Sequence, residues 1–216
     1  MTAIRVLLVD DHAVLRDALK VLLESTGGIR VVGLAPDGRS AVQMVKRTKP
    51  DVVLMDIVMP GLNGIEATAE IRSIAPSTRV LILSMLSDVE FVHRALRAGA
   101  DGYVLKTSSR NDVVTAVKAV YAGSRYLSPE ISESVLDDYV RISVPGTSPL
   151  EQLSARERQI LQLLAEGHAS ATIARLLSLS PKTIDTYRSR MMKKLGIASR
   201  PALIKFAIRH GITPPE

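Results

Sequence analysis

The sequence predicts a doubly wound α/β domain built on a five-stranded parallel sheet, followed by a small all-α domain of four helices. Three observations lead there. Short aliphatic runs alternate with segments of helical spacing over the first 120 residues, strand signals cease from Leu153 onward, and all the net charge lies in the last third. A chain of 216 residues also suits two domains of roughly 100 residues, each able to bury its own core.

The runs Val6 to Val9, Val31 to Leu34, Val52 to Met55, Val80 to Leu83 and Tyr103 to Leu105 are short and aliphatic or β-branched, as parallel strands buried on both faces are. Between them apolar residues return at helical spacing, as in Val14, Leu15, Ala18, Leu19, Leu22 and Leu23. A strand followed by a helix, five times over, is the pattern of a doubly wound sheet, whose ligands gather beyond the carboxyl ends of the strands. The fifth helix is expected over Asn111 to Tyr121, closing a first domain at residues 1–124.

Residues 125–149 read as a linker with a possible helix. Ser128-Pro129-Glu130 has the form of a capped helix start, and Val144-Pro145-Gly146-Thr147-Ser148-Pro149 breaks any helix. The second domain, residues 150–216, opens on Ser154-Ala155-Arg156-Glu157, a capping box with Leu153 as staple. That helix carries Ile160, Leu161 and Leu164 and ends at Gly167. A second helix carries Ile173, Ala174 and Leu177, and the turn Ser178-Leu179-Ser180 leads into a third from Pro181 to about Leu195, with Ser180 as its cap. A fourth spans Ser199 to His210.

Composition narrows the function classes. There is no Cys, which excludes disulfides, thiolate metal ligands and a cysteine nucleophile and fits a reducing compartment. The N-terminal apolar run stops at Asp10, too short for a signal segment or a membrane span, so a cytoplasmic protein without a membrane partner is expected. From Glu151 to Glu216 there are 11 Lys and Arg against 5 Asp and Glu, while the rest holds 17 of each. The net charge of +6 therefore belongs to the second domain, as expected if that part alone meets a polyanion.

Four of the five strands run directly into a polar residue: Asp10-Asp11, Asp56, Ser84 and Lys106. Taken singly, an Asp after a strand is a turn or cap residue and a Lys is a solvated one. Taken together, they put three carboxylates, a hydroxyl and an ammonium at one sheet edge. Crowded carboxylates repel one another unless a cation neutralises them, and Mg2+ suits oxygen ligands and a phosphate oxygen. Asp10 and Asp11 then hold the metal and Asp56, at the centre of the sheet, is a nucleophile toward a phosphoryl donor. Lys106 and Ser84 would stabilise the transferred group.

With these motifs in view, residues 3 to 122 resemble the receiver domain of two-component response regulators. The resemblance rests on Leu7-Leu8-Val9-Asp10-Asp11, on Asp56 within Val53 to Gly64, on Leu83-Ser84 and on Tyr103-Val104-Leu105-Lys106. It implies that a sensor histidine kinase phosphorylates Asp56 and that Asp11 and Asp56 bind Mg2+, with Asp10 acting through water and the Val58 carbonyl completing the site. It also implies a switch in which phosphate draws in Ser84 and reorients Tyr103.

On the helix from Pro181, the residues Ile184, Tyr187, Met191 and Leu195 share one face and should pack inward. The opposite face presents Asp185, Thr186, Ser189 and Lys193, flanked by Arg188, Arg190 and Lys194, with Lys182 and Thr183 at its start. Short polar side chains for base edges between basic ones for phosphates are what a major-groove helix needs; a solvated basic helix is the plainer explanation. Through Leu153 to Glu157, Ile173-Ala174, Thr183-Ile184 and Lys194-Leu195-Gly196, residues 150 to 213 resemble the LuxR-type helix-turn-helix of the NarL/FixJ family. That implies binding to double-stranded DNA, transcription control, and a fourth helix that helps form a homodimer. Two departures stand out: many members have a basic residue where this chain has Asp185, and His where it has Tyr187. Asp185 could accept a hydrogen bond from cytosine N4, or hold Arg188 or Ser189 in place.

The expected function is thus phosphorylation-gated DNA binding rather than enzymatic turnover. A small phosphatase sharing aspartyl-phosphate chemistry is disfavoured, because Val58 stands where a second acid would be needed and there is no cap domain or glycine-rich nucleotide loop. A DNA-binding protein whose receiver is a phosphorylation-independent scaffold is the alternative.

Overall fold

The structure is a computed structural model, which describes residues 3–141 and 149–213. Two compact units divide the chain, the first carrying the elements up to residue 141 and the second those from 149 onward.

In the first unit β1 (Ile4–Val9), β2 (Ile29–Ala35), β3 (Val52–Met55), β4 (Arg79–Ser84) and β5 (Gly102–Leu105) alternate with α1 (Ala13–Glu24), α2 (Gly38–Thr48), α3 (Gly64–Ile74), α4 (Val89–Arg97) and α5 (Arg110–Tyr121). All the strand pairings are parallel, in the order β2-β1-β3-β4-β5-β6. The core is the one the aliphatic runs forecast: Val6, Leu8, Leu54, Leu81, Leu83 and Val104 are buried against Leu19 and Leu23 of α1 and Val113, Val117 and Val120 of α5.

A sixth strand, β6 (Tyr126–Leu127), pairs with β5, and α6 (Pro129–Arg141) follows it. Both lie in the stretch expected to be linker. Ser128 N donates to Tyr103 O at 3.0 Å and Ile131 is fully buried, so this stretch is seated on the first unit. Of the breaker run, Val144 to Ser148 lies outside the described residues.

The second unit contains a 3-10 turn (Pro149–Gln152) and four helices, α7 (Ala155–Ala165), α8 (Ser170–Leu177), α9 (Pro181–Lys194) and α10 (Arg200–Arg209). The Ser154–Glu157 capping box opens α7, and Ser180 Oγ accepts from Thr183 N at 3.1 Å to open α9 behind Pro181. The turn between α8 and α9 starts at Ser178, a non-glycine residue at φ +55, where the backbone needs the left-handed region. Ile160, Leu161, Leu164, Ile173, Leu177, Ile184, Met191, Leu203 and Ala207 form one core, with Tyr187 and Leu195 packed against it.

Candidate functional site

The sheet order reverses direction between β1 and β3, where a doubly wound sheet leaves a crevice. Val9 pairs with Met55 in register, so the next residue of each strand, Asp10 and Asp56, emerges at the same level. Backbone bonds carry the alignment past the strand ends: Asp56 N donates to Val9 O at 2.9 Å, Asp10 N to Ala35 O at 3.2 Å and Lys106 N to Ser84 O at 2.8 Å.

Lys106 Nζ lies 2.7 Å from Asp56 Oδ2 and 2.6 Å from Asp10 Oδ2. Both carboxylates are buried. Asp56 Oδ1 accepts from Ile57 N at 2.7 Å. Burial pushes the Asp56 carboxyl up to about 6, Lys106 pulls it down, and the charge of Asp10 raises it again. Burial works to lower the Lys106 ammonium, yet the charges of Asp56 and Asp10 hold it above its ordinary value. One ammonium therefore leaves the carboxylates under-neutralised.

Asp11 is exposed beside them, and ligand atoms of Asp10, Asp11, His12 and Asp56 all fall within 4.8 Å of one another. Val58 is half-buried in the β3–α3 connection. Ser84, at the end of β4, is fully buried, and its Oγ accepts from Leu86 N at 3.2 Å. Tyr103 is also fully buried, and its hydroxyl donates to Leu86 O at 2.6 Å. Burial, partly offset by Ser84, raises the phenol above its usual range. Ser84 and Tyr103 thus meet on the backbone of one loop residue.

Three participants escaped the sequence reading. His12 Nδ1 lies 2.8 Å from Asp11 Oδ1 and 3.1 Å from Asp10 Oδ1, and Arg16 donates from Nη1 to the Asp10 carbonyl. Their contacts, at two and six positions from Asp10, depend on how α1 leaves β1 and carry no spacing signal in the sequence. Gly64 is the third. A Cβ there would stand 1.9 Å from Asp56 O, so only glycine lets the start of α3 approach the backbone of Asp56.

On α9, Lys182, Thr186, Ser189, Arg190 and Lys193 are exposed and Thr183 is half-buried. Asp185 Oδ1 lies 3.1 Å from Arg188 Nη2 and accepts from Ser170 Oγ at 3.1 Å. Ser189 Oγ donates instead to the Asp185 carbonyl, at 3.0 Å. Lys194, expected to flank this face, pairs with Glu157 Oε2 at 2.6 Å. Among the described residues no helix is long and apolar enough to cross a membrane.

Comparison with known proteins matches residues 6–118 to the response regulator receiver domain and residues 151–207 to the luxR family of bacterial regulatory proteins. The chain is 38% identical over 211 residues to the response regulator GacA of Pseudomonas aeruginosa, covering 97% of each. It is 37% identical over 210 residues to the oxygen regulatory protein NreC of Staphylococcus aureus, covering 95% of this chain and 97% of that one. Among solved structures, two RcsB dimers bound to two parallel DNAs match at a TM-score of 0.60 and 25% identity, over 95% of this chain and 98% of that one.

Proposed function

The chain belongs to the two-component response regulators that join a receiver domain to a LuxR-type helix-turn-helix, and from that premise we propose that phosphorylation of Asp56 controls its assembly on DNA. It regulates transcription as the output half of a two-component system. The observation that carries the Asp56 assignment is the Lys106–Asp56 pair, 2.7 Å apart at the sheet's switch point with Asp10 alongside.

The donor set fits Mg2+. Three carboxylates with one ammonium between them lack positive charge, and all three offer oxygen, which a hard divalent ion prefers. Asp10, Asp11 and Asp56, with the Val58 carbonyl, would hold it. When bound, Mg2+ supplies neutralisation of the phosphoryl oxygens.

A carboxylate oxygen of Asp56 attacks the phosphorus of a phosphohistidine on the sensor kinase. The new P–O bond forms as the P–N bond breaks, and the imidazole leaves with the electron pair. Lys106, paired with Asp56 Oδ2 beforehand, transfers its charge interaction to a phosphoryl oxygen. Ser84 Oγ turns from Leu86 N toward the same group, and the Leu86 loop shifts with it. Tyr103, bonded to Leu86 O, follows. A dianionic group placed beside one loop is a local charge change with a bistable element next to it.

DNA is the partner of α9, with Lys182, Arg190 and Lys193 toward phosphates and Thr183, Asp185, Thr186 and Ser189 toward the groove. The dimeric RcsB complex on DNA supports assembly as a homodimer. A DNA partner fits a cytoplasmic location, and the reading is of a regulator rather than a turnover enzyme.

The test is DNA binding by wild type and Asp56→Asn, with and without acetyl phosphate and Mg2+, at fixed salt. Tighter binding or dimerisation only in phosphorylated wild type is expected. Equal binding throughout would leave the receiver as a phosphorylation-independent scaffold.

A further inference from the structure

We propose that Asp185 is a specificity-determining residue that reads a cytosine in each half-site, with Ser170 and Arg188 acting as positioning residues for its carboxylate. The inference rests on the DNA-binding reading of α9 and says what that helix selects. One oxygen, Oδ1, receives both donors: Ser170 Oγ at 3.1 Å from the first residue of α8, and Arg188 Nη2 at 3.1 Å from one turn further along α9. Two donors from two helices hold the side chain in one orientation. The side chain of Asp185 is 50% exposed, so the carboxylate stays accessible to a further donor.

Its place on the helix is the right one. Asp185 follows the buried Ile184 in the N-terminal half of α9, the part of a second helix-turn-helix helix that meets base edges. Lys182, Thr186 and Ser189 are exposed on the same side.

A carboxylate near DNA is repelled by the phosphates unless its charge is balanced and its lone pairs find a donor. Arg188 supplies the balance. An ionised carboxylate is acceptor-only, and the bases restrict its choice. Guanine presents two acceptors in the major groove, thymine an acceptor and a methyl group, and adenine a donor beside an acceptor. Cytosine alone presents a donor without an adjacent acceptor.

The experiment is selection from randomised duplex DNA by the full chain, with acetyl phosphate and Mg2+ at fixed salt. It compares wild type, Asp185→Asn and Arg188→Ala, each first shown by circular dichroism to melt as wild type does. The expected wild-type consensus holds a cytosine that Asp185→Asn changes to adenine, since an amide pairs with adenine N6 and N7. The preference between the two operators should invert by about tenfold or more. Arg188→Ala should weaken that position without changing its base. An unchanged base in Asp185→Asn overturns the inference. So does loss of the same guanine in both variants, which would make Arg188 the reader and Asp185 its support. No consensus from wild type would overturn the DNA-binding reading itself, and the inference with it.

Discussion

Lys106 Nζ stands 2.7 Å from Asp56 Oδ2, and the same nitrogen is 2.6 Å from Asp10 Oδ2. The lysine shares one charge between two buried acids, and Asp56 rises to about 6 from an ordinary 3.8, chiefly through burial. The raised value makes ionised Asp56 a cost to the fold: stability is lost as pH rises from 3.8 through about 6 and regained as it falls. Without divalent metal, Asp56→Asn should therefore stabilise the α/β unit at pH 7 to 8, by roughly 2–3 kcal/mol. The gain should vanish near pH 4. Calorimetry in EDTA measures it, and a variant no more stable than wild type at pH 8 would contradict it.

Gly64 is a second point of close approach to the backbone of Asp56. Its N donates to Ile57 O at 2.9 Å, and an added Cβ would meet the Asp56 carbonyl oxygen at 1.9 Å. That neighbour is backbone and has little room to yield. Gly64→Ala should cost about 1–3 kcal/mol in stability and slow phosphorylation by acetyl phosphate, because relief of the clash displaces Asp56, the proposed phosphoryl acceptor. Urea unfolding and the rate of phosphoprotein formation check the two effects. Full stability with normal phosphorylation would show that the α3 start moves freely.

The strand ends were legible because buried parallel strands write aliphatic runs, and a polar residue closing such a run has one sheet edge to go to. Asp10, Asp56, Ser84 and Lys106 are therefore where the runs put them. Two-residue β6 has no period to read, and its pairing depends on the backbone of Gly102 and Tyr103 in β5. Arg16 reads as an ordinary solvated helix residue, since its bond to the Asp10 carbonyl depends on how α1 leaves β1. Lys194 looks like part of a basic face until Glu157, 37 positions away, is folded against it.

That pairing separates two adjacent lysines. Lys193 is exposed on α9, whereas Lys194 is held 2.6 Å from Glu157 Oε2. Lys193→Ala should weaken DNA binding about equally across sequences and reduce the slope of log affinity against log salt by about 1. Lys194→Ala should leave that slope nearly unchanged. Fluorescence anisotropy across a salt series decides between them, and equal slope changes would mean that DNA draws Lys194 away from Glu157.

Glu157 also sets a pH dependence of the opposite sign to that of Asp56. Burial raises its carboxyl, but the bonds from Lys194 and from Ser154 outweigh it and leave the carboxyl below 4.5. A depressed carboxylate contributes its stability above the unfolded value and loses it as pH falls through the folded one. Because Lys194 is 42% exposed, solvent screening limits the contribution to about 1 kcal/mol. Glu157→Gln keeps the capping shape while removing the charge, so it should lower protection of the α7 and α9 amides at pH 7 by about that amount. The difference should close as pH falls below 4.5. Hydrogen–deuterium exchange corrected for intrinsic rate gives the comparison, and a gap that persists at low pH would assign the loss to the cap hydrogen bond instead of the charge.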